Sequence, residues 1–89
     1  MKPSDKPTRS DGVTARDIDE AFFIMDPRTS DLHSLNPVGA RIWELVDGQR
    51  TVADIAAVIV AEYEVESGRA EGDVVEFLET LQTKKLVDP

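Results

Sequence analysis

The dipeptide Asn36–Pro37 constrains this chain most, because it marks a helix start that few other local structures tolerate. The Asn side-chain oxygen can accept from a free amide of the first turn. Pro suits the first helical position, where its missing N–H would be unpaired anyway. Val38, Ile42, Leu45 and Val46 follow at helical spacing, and Asp47–Gly48 ends the run, with Gly48 able to adopt a left-handed conformation. Thr51 opens a second helix. With Asp54 it forms a capping-box-like pair, and Val52, Ile55, Ala56, Ile59, Val60 and Tyr63 form its apolar stripe. A third helix is predicted from near Ser67 to about Lys85. Its stripe is Val74, Phe77, Leu78 and Leu81, and Glu71, Asp73, Glu76 and Glu79 form a solvated opposite face. Leu86 and Val87 close the chain and are expected to pack back as an anchor.

The half before Asn36 reads differently. Met1 to Gly12, MKPSDKPTRSDG, carries too little apolar area to offset chain entropy and reads as a disordered tail. Val13–Ile18 is a weak strand, with Val13, Ala15 and Asp17 facing one way. Ala21–Asp26 is a compact apolar strand. Asp26–Pro27–Arg28–Thr29–Ser30 supplies turn chemistry, and Asp31–Leu35 resumes as a short strand. Phe22, Phe23 and Ile24 are consecutive, so they point to both faces of the sheet. Helices can cover one face; the tail must cover the other, or apolar surface is left for a partner. Strands followed by helices define an α+β chain. The expected architecture is winged-helix-like, a three-stranded antiparallel sheet followed by three helices. Residues 1–12 form the tail and 13–89 the domain.

Chemistry is sparse. Among 89 residues there is no Cys and one His, which excludes disulfides, thiolate metal sites and cysteine nucleophiles. His33 is read as structural or exposed, since Ser30 and Ser34 beside it support no triad. No GxGxxG or P-loop pattern occurs, and no cofactor or metal is expected. Trp43 is read as a core anchor between helix and sheet. The formal net charge of -8 repels phosphate backbones, so nucleic acid is not an expected partner. No apolar run suits a membrane span and no signal core is visible, so a cytoplasmic location is expected. A small sheet with unpaired edges next to a helix instead offers a groove for an extended peptide.

The segment LHSLNPVGARIWELVDGQRTVADIAAVIVAEYEV, followed by GDVVEFLETLQTKKLV, resembles the PqqD-like family. Leu35–Asn36, Gly39, Ile42–Trp43, Leu45, Asp47–Gly48 and Thr51–Val52 carry most of it, with Ile55 spaced beyond. The resemblance implies a non-catalytic, monomeric adaptor. Such domains bind the leader of a ribosomally made precursor peptide as an added strand and present it to a modifying enzyme, often of the radical S-adenosylmethionine type. By this resemblance the contact region falls on Ser30, Asp31, Leu32, His33, Ser34 and Leu35, and on Asp73, Val74, Phe77, Leu78 and Leu81. Two other readings stay open: a winged-helix DNA-binding regulator, which the acidic helices disfavour, and a scaffold subunit that binds only its enzyme.

Overall fold

The computed structural model describes residues 1–89. It has the order β1 (Thr8–Arg9), β2 (Thr14–Ile18), β3 (Ala21–Met25), β4 (Leu32–Leu35), α1 (Pro37–Leu45), α2 (Val52–Tyr63), α3 (Ser67–Thr83) and β5 (Val87–Asp88). The expected α+β arrangement is present: β2, β3 and β4 form an antiparallel sheet in sequence order and three helices follow. A second, two-stranded ribbon pairs β1 with β5.

Local rules position the helices. Asn36 Oδ1 accepts from the Gly39 amide at 2.7 Å, with Pro37 in the first helical position. The Thr51 and Asp54 capping box is reciprocal, both bonds measuring 3.0 Å. Each such cap contributes about 1 kcal/mol. Gly48 has φ +76°, and a Cβ there would lie 2.7 Å from Cγ2 of Thr8, so the turn between α1 and α2 requires glycine twice over. Between β2 and β3, Asp19 and Glu20 have φ of 49° and 69°. That matches the twist-compatible two-residue hairpin loop, built here without its usual Asn or Gly.

The core joins Ile24 of the sheet to Ile42, Trp43, Leu45 and Val46, to Val52, Ile55 and Ile59, and to Val74, Leu78 and Leu81. Leu86 and Val87 are buried in it, so the chain end does return as an anchor. Trp43 is 2% exposed, a core residue as read from sequence. Tyr63, the last residue of the apolar stripe of α2, is 40% exposed at the last turn of that helix.

Residues 1–12 require a correction. They do not lie apart as a disordered tail. Pro7 is buried, and Thr8 and Arg9 pair with Asp88 and Val87. The Pro3 and Asp5 carbonyls accept from the amides of Ala53 and Val52, at 3.0 and 2.9 Å. Those amides belong to the first turn of α2, where no intrahelical acceptor exists. Gly48 N donates to the Pro7 carbonyl at 3.0 Å. The Arg9 guanidinium donates to the Trp43 carbonyl at 2.8 Å and sits 5.1 Å from the centre of the indole ring. Apolar content does not capture these attachments, because most of them are made by backbone.

Candidate functional site

In the three-stranded sheet β4 is an edge, so one side of its backbone is unpaired. The free edge of β2 is flanked by nothing, all five of its residues being exposed. The surroundings of β4 differ, because α3 is tied to the structure at both ends of that strand.

The first tie lies before β4. Asp26, 6% exposed, accepts from Arg28 three times: from its backbone N at 2.9 Å, Nε at 3.1 Å and Nη2 at 3.0 Å. These bonds aim Arg28, whose Nη2 also donates to the carbonyls of Lys84 and Lys85 at 3.1 and 3.3 Å. A guanidinium thus satisfies orphan carbonyls at the negative end of α3. The hydrogen bonds from Arg28 hold the Asp26 carboxyl below the usual carboxylate range.

The second tie lies after β4. The Phe77 ring packs over the first turn of α1. A Cβ on Gly39 would stand 3.0 Å from Cε1 of Phe77 and 3.2 Å from Asn36 Oδ1. Glycine therefore lets the ring approach the backbone directly. From Phe77 to Lys84 a helix rises about 10 Å, and the three steps from Leu32 to Leu35 span about 10 Å of strand. The strand edge and the last two turns of α3 are matched in length.

The α3 wall contains two hollows that share Asp73 and Phe77. One, of about 320 Å³, lies between α1, α2 and α3 and is mainly apolar, with Val38, Ile42, Ile59, Tyr63, Val65 and Val74 among its lining. The other is a shallow depression formed by Asp73, Glu76, Phe77 and Thr80. Asp73 is exposed and only loosely paired, 3.7 Å from Arg69 Nε. The wall is therefore apolar at its floor and acidic along its rim.

The residues expected at a peptide site fall into two groups. Ser30, Asp31, Leu32 and Ser34 are exposed, His33 and Leu35 half-buried. Ser30 ends the turn with φ 61° and donates its amide to the Asp26 carbonyl at 2.8 Å. Asp73 is exposed and Phe77 half-buried, both at the wall. Leu78 and Leu81, at 0% and 3% exposure, are core residues and present no surface to a ligand. Their inclusion is corrected here: a stripe at steps of three and four mixes core and wall, and Phe77 sits at its rim. Val74, 1% exposed, only floors the larger hollow. Glu76 and Thr80, one turn apart beside Phe77, complete the wall and were read only as solvated face or not at all. Steps of three and four through Asp73, Glu76, Phe77 and Thr80 are the sequence signal that puts them on one face.

No three His, Asp or Glu side chains converge on a point that could hold a metal. Ile24 and Met25 oppose His33 and Leu32 across the sheet.

The sequence profile of the family described as Coenzyme PQQ synthesis protein D (PqqD) matches residues 22–87. The chain is 32% identical over 53 residues to a PqqA binding protein of Xanthomonas euvesicatoria pv. vesicatoria (strain 85-10), covering 60% of this chain and 58% of that protein. The PqqA binding protein of Xanthomonas axonopodis pv. citri (strain 306) matches to the same extent. The match therefore spans less than two thirds of these relatives. Among solved structures, TbiB1 in complex with the TbiA(beta) leader peptide superposes with a TM-score of 0.81 at 32% identity, covering 91% of this chain and 94% of the other. The PqqD truncation of Methylobacterium extorquens PqqCD, described as a stand-alone RiPP recognition element, gives 0.85 at 24% identity, over 100% and 95% of the two chains. A lasso peptide synthetase B1 complexed with its leader peptide gives 0.84 at 24%, over 94% and 99%. At 24% identity these last two speak for the fold.

Proposed function

This chain belongs to the PqqD family, and on that premise we propose that it is a non-catalytic adaptor that binds the leader of a ribosomally made precursor peptide and presents it to a modifying enzyme. The observation that carries the reading is the open edge of β4, with Arg28 before it bonded to the carbonyls that end α3 and Phe77 of α3 against the first turn of α1 after it. TbiB1 and the lasso synthetase B1, which share the fold, were each solved with a leader peptide.

The leader enters as a strand next to Leu32–Leu35. Backbone bonds to β4 fix its register whatever its sequence, each contributing about 1 kcal/mol net. Alternate side chains face α3. There an apolar side chain of the leader enters the hollow behind Phe77, while Asp73, Glu76 and Thr80 read its polar neighbours. Val74, Leu78 and Leu81 hold the wall from beneath. The chain needs no cofactor for this work and acts as a monomer in the cytoplasm, where ribosomal products arise; no helix is long and apolar enough to cross a membrane. The chemistry is left to the partner, for which a radical S-adenosylmethionine enzyme is the expected class.

The test is calorimetric titration with the leader of the precursor peptide on which the same pathway acts. Binding is expected at micromolar or tighter affinity, and Phe77→Ala is expected to weaken it at least about tenfold, the loss of roughly half an aromatic side chain's burial. A leader that does not bind, or that binds Phe77→Ala equally well, overturns the assignment.

A further inference from the structure

The register divides the sheet into an inner and an outer face. Ile24 is fully buried against the helices, and Phe22 and Leu35, on the same side, pack against the core. Strand alternation therefore turns Phe23 and Met25 outward, together with their cross-strand partners Arg16 and Ser34, and Thr14 and Leu32. Ile18 joins them at the end of β2. Leu32 is 51% and Ile18 43% exposed, and neither they nor Phe23 and Met25 belong to the core cluster. The N-terminal segment, which could have covered this face, pairs instead with β5 and caps α2. The outer face is mainly apolar, with Thr14 and Ser34 as its neutral polar residues and a single charge, Arg16, which makes no ion pair.

We propose that this outer face docks the modifying enzyme, through an enzyme surface that offers apolar side chains and a carboxylate for Arg16. The proposal rests on the peptide-docking reading. Two arguments select this occupant over a second copy of the chain. Three strands about 4.8 Å apart and about five residues long present roughly 250 Å². A free-standing interface needs about 800 Å² from each partner, so a dimer through this face alone would not hold. An enzyme that also grips the docked peptide gains effective concentration, and a small contact then suffices. Secondly, the face is continuous with the groove. A strand added beside β4 extends the sheet, and its alternate side chains emerge next to Leu32 and Ser34. The enzyme would meet adaptor and peptide as one surface.

The test titrates the modifying enzyme of the same pathway into the chain loaded with its leader peptide. Arg16→Glu and Ile18→Asp lie on β2, away from the β4 edge, and both positions are exposed, so folding is expected to be unchanged by circular dichroism. Each variant is expected to weaken enzyme binding at least about tenfold while leaving leader affinity within about twofold. Enzyme binding that is unchanged in both variants overturns the proposal. So does a wild-type chain that sediments as a dimer and becomes monomeric in Arg16→Glu with enzyme affinity unaltered, since a second copy then owns the face. Failure of the leader to bind wild-type chain is a separate result that removes the peptide reading. Because the face alone is too small to hold the enzyme, that result removes this proposal as well, whereas a leader that binds with enzyme affinity unchanged in both variants removes this proposal alone.

Discussion

Asp26 shows how one buried carboxylate can act far from its own strand. Its side chain touches no part of the open edge, yet through Arg28 it reaches the carbonyls that end α3. The sequence marks Asp26–Ser30 as a turn; it does not reveal that the arginine inside the turn is used 56 residues away. The acid side of the stability profile tests this link. Arg28 depresses the folded-state pKa of Asp26, so below about pH 4 the unfolded chain binds more protons than the folded one. The resulting stability is full above the unfolded pKa and is lost as pH falls through the folded one. Asp26→Asn lacks that titration. Its thermal midpoint is expected to start lower at neutral pH and to fall less steeply than that of wild type as acid is added. Parallel acid profiles would show that Asp26 contributes nothing to the pH dependence. Asp47, Asp54 and Glu62 have lowered pKa values too, from bonds to the Arg50 and Gln49 amides, to Thr51 and to Arg41, and they are common to both proteins, so the difference isolates Asp26.

Among the elements, those fixed by neighbouring residues were legible and those fixed by distant ones were not. Asn36, Pro37, Thr51 and Asp54 announce α1 and α2 because a cap is a contact over three residues. Accordingly Asn36→Ala is expected to cost about 1 kcal/mol. In a domain of this size that lowers the thermal midpoint by roughly 4–8 °C. An unchanged midpoint in differential scanning calorimetry would show that the cap is dispensable. Gly48→Ala should cost more than the strain of a left-handed alanine, about 1–2 kcal/mol, because its methyl also meets Thr8. The same calorimetry reads it, and a midpoint at or above wild type would contradict the turn geometry. The α3 stripe marks the limit of periodicity. Val74, Phe77, Leu78 and Leu81 share one sequence pattern, but only packing separates the half-buried Phe77 from the buried three. The β2–β3 loop escaped notice for another reason: Asp19 and Glu20 occupy positions usually held by Asn or Gly.

At the scale of the whole molecule, the first twelve residues act as a strap around the helices. Composition alone marks them as unable to fold. Their attachment lies in carbonyls that cap α2, in the β1–β5 ribbon and in Arg9 over Trp43. Beginning the chain after Gly12 is expected to destabilise it by at least about 2 kcal/mol, from uncapped amides and lost backbone bonds. Equal urea midpoints for the two chains would return these residues to the status of a tail. The strap also leaves the sheet bare on its outer face, so that edge and face are both free for partners. The central claim is that the leader peptide completes the sheet at β4. Amide hydrogen exchange followed by NMR, with and without the leader, tests it directly. The account predicts slowed exchange for those amides of Leu32–Leu35 that are not bonded to β3, with shifts at Phe77 and Thr80. A leader that binds while these amides exchange as before, with protection confined to β2 or to the β1–β5 ribbon, would contradict it.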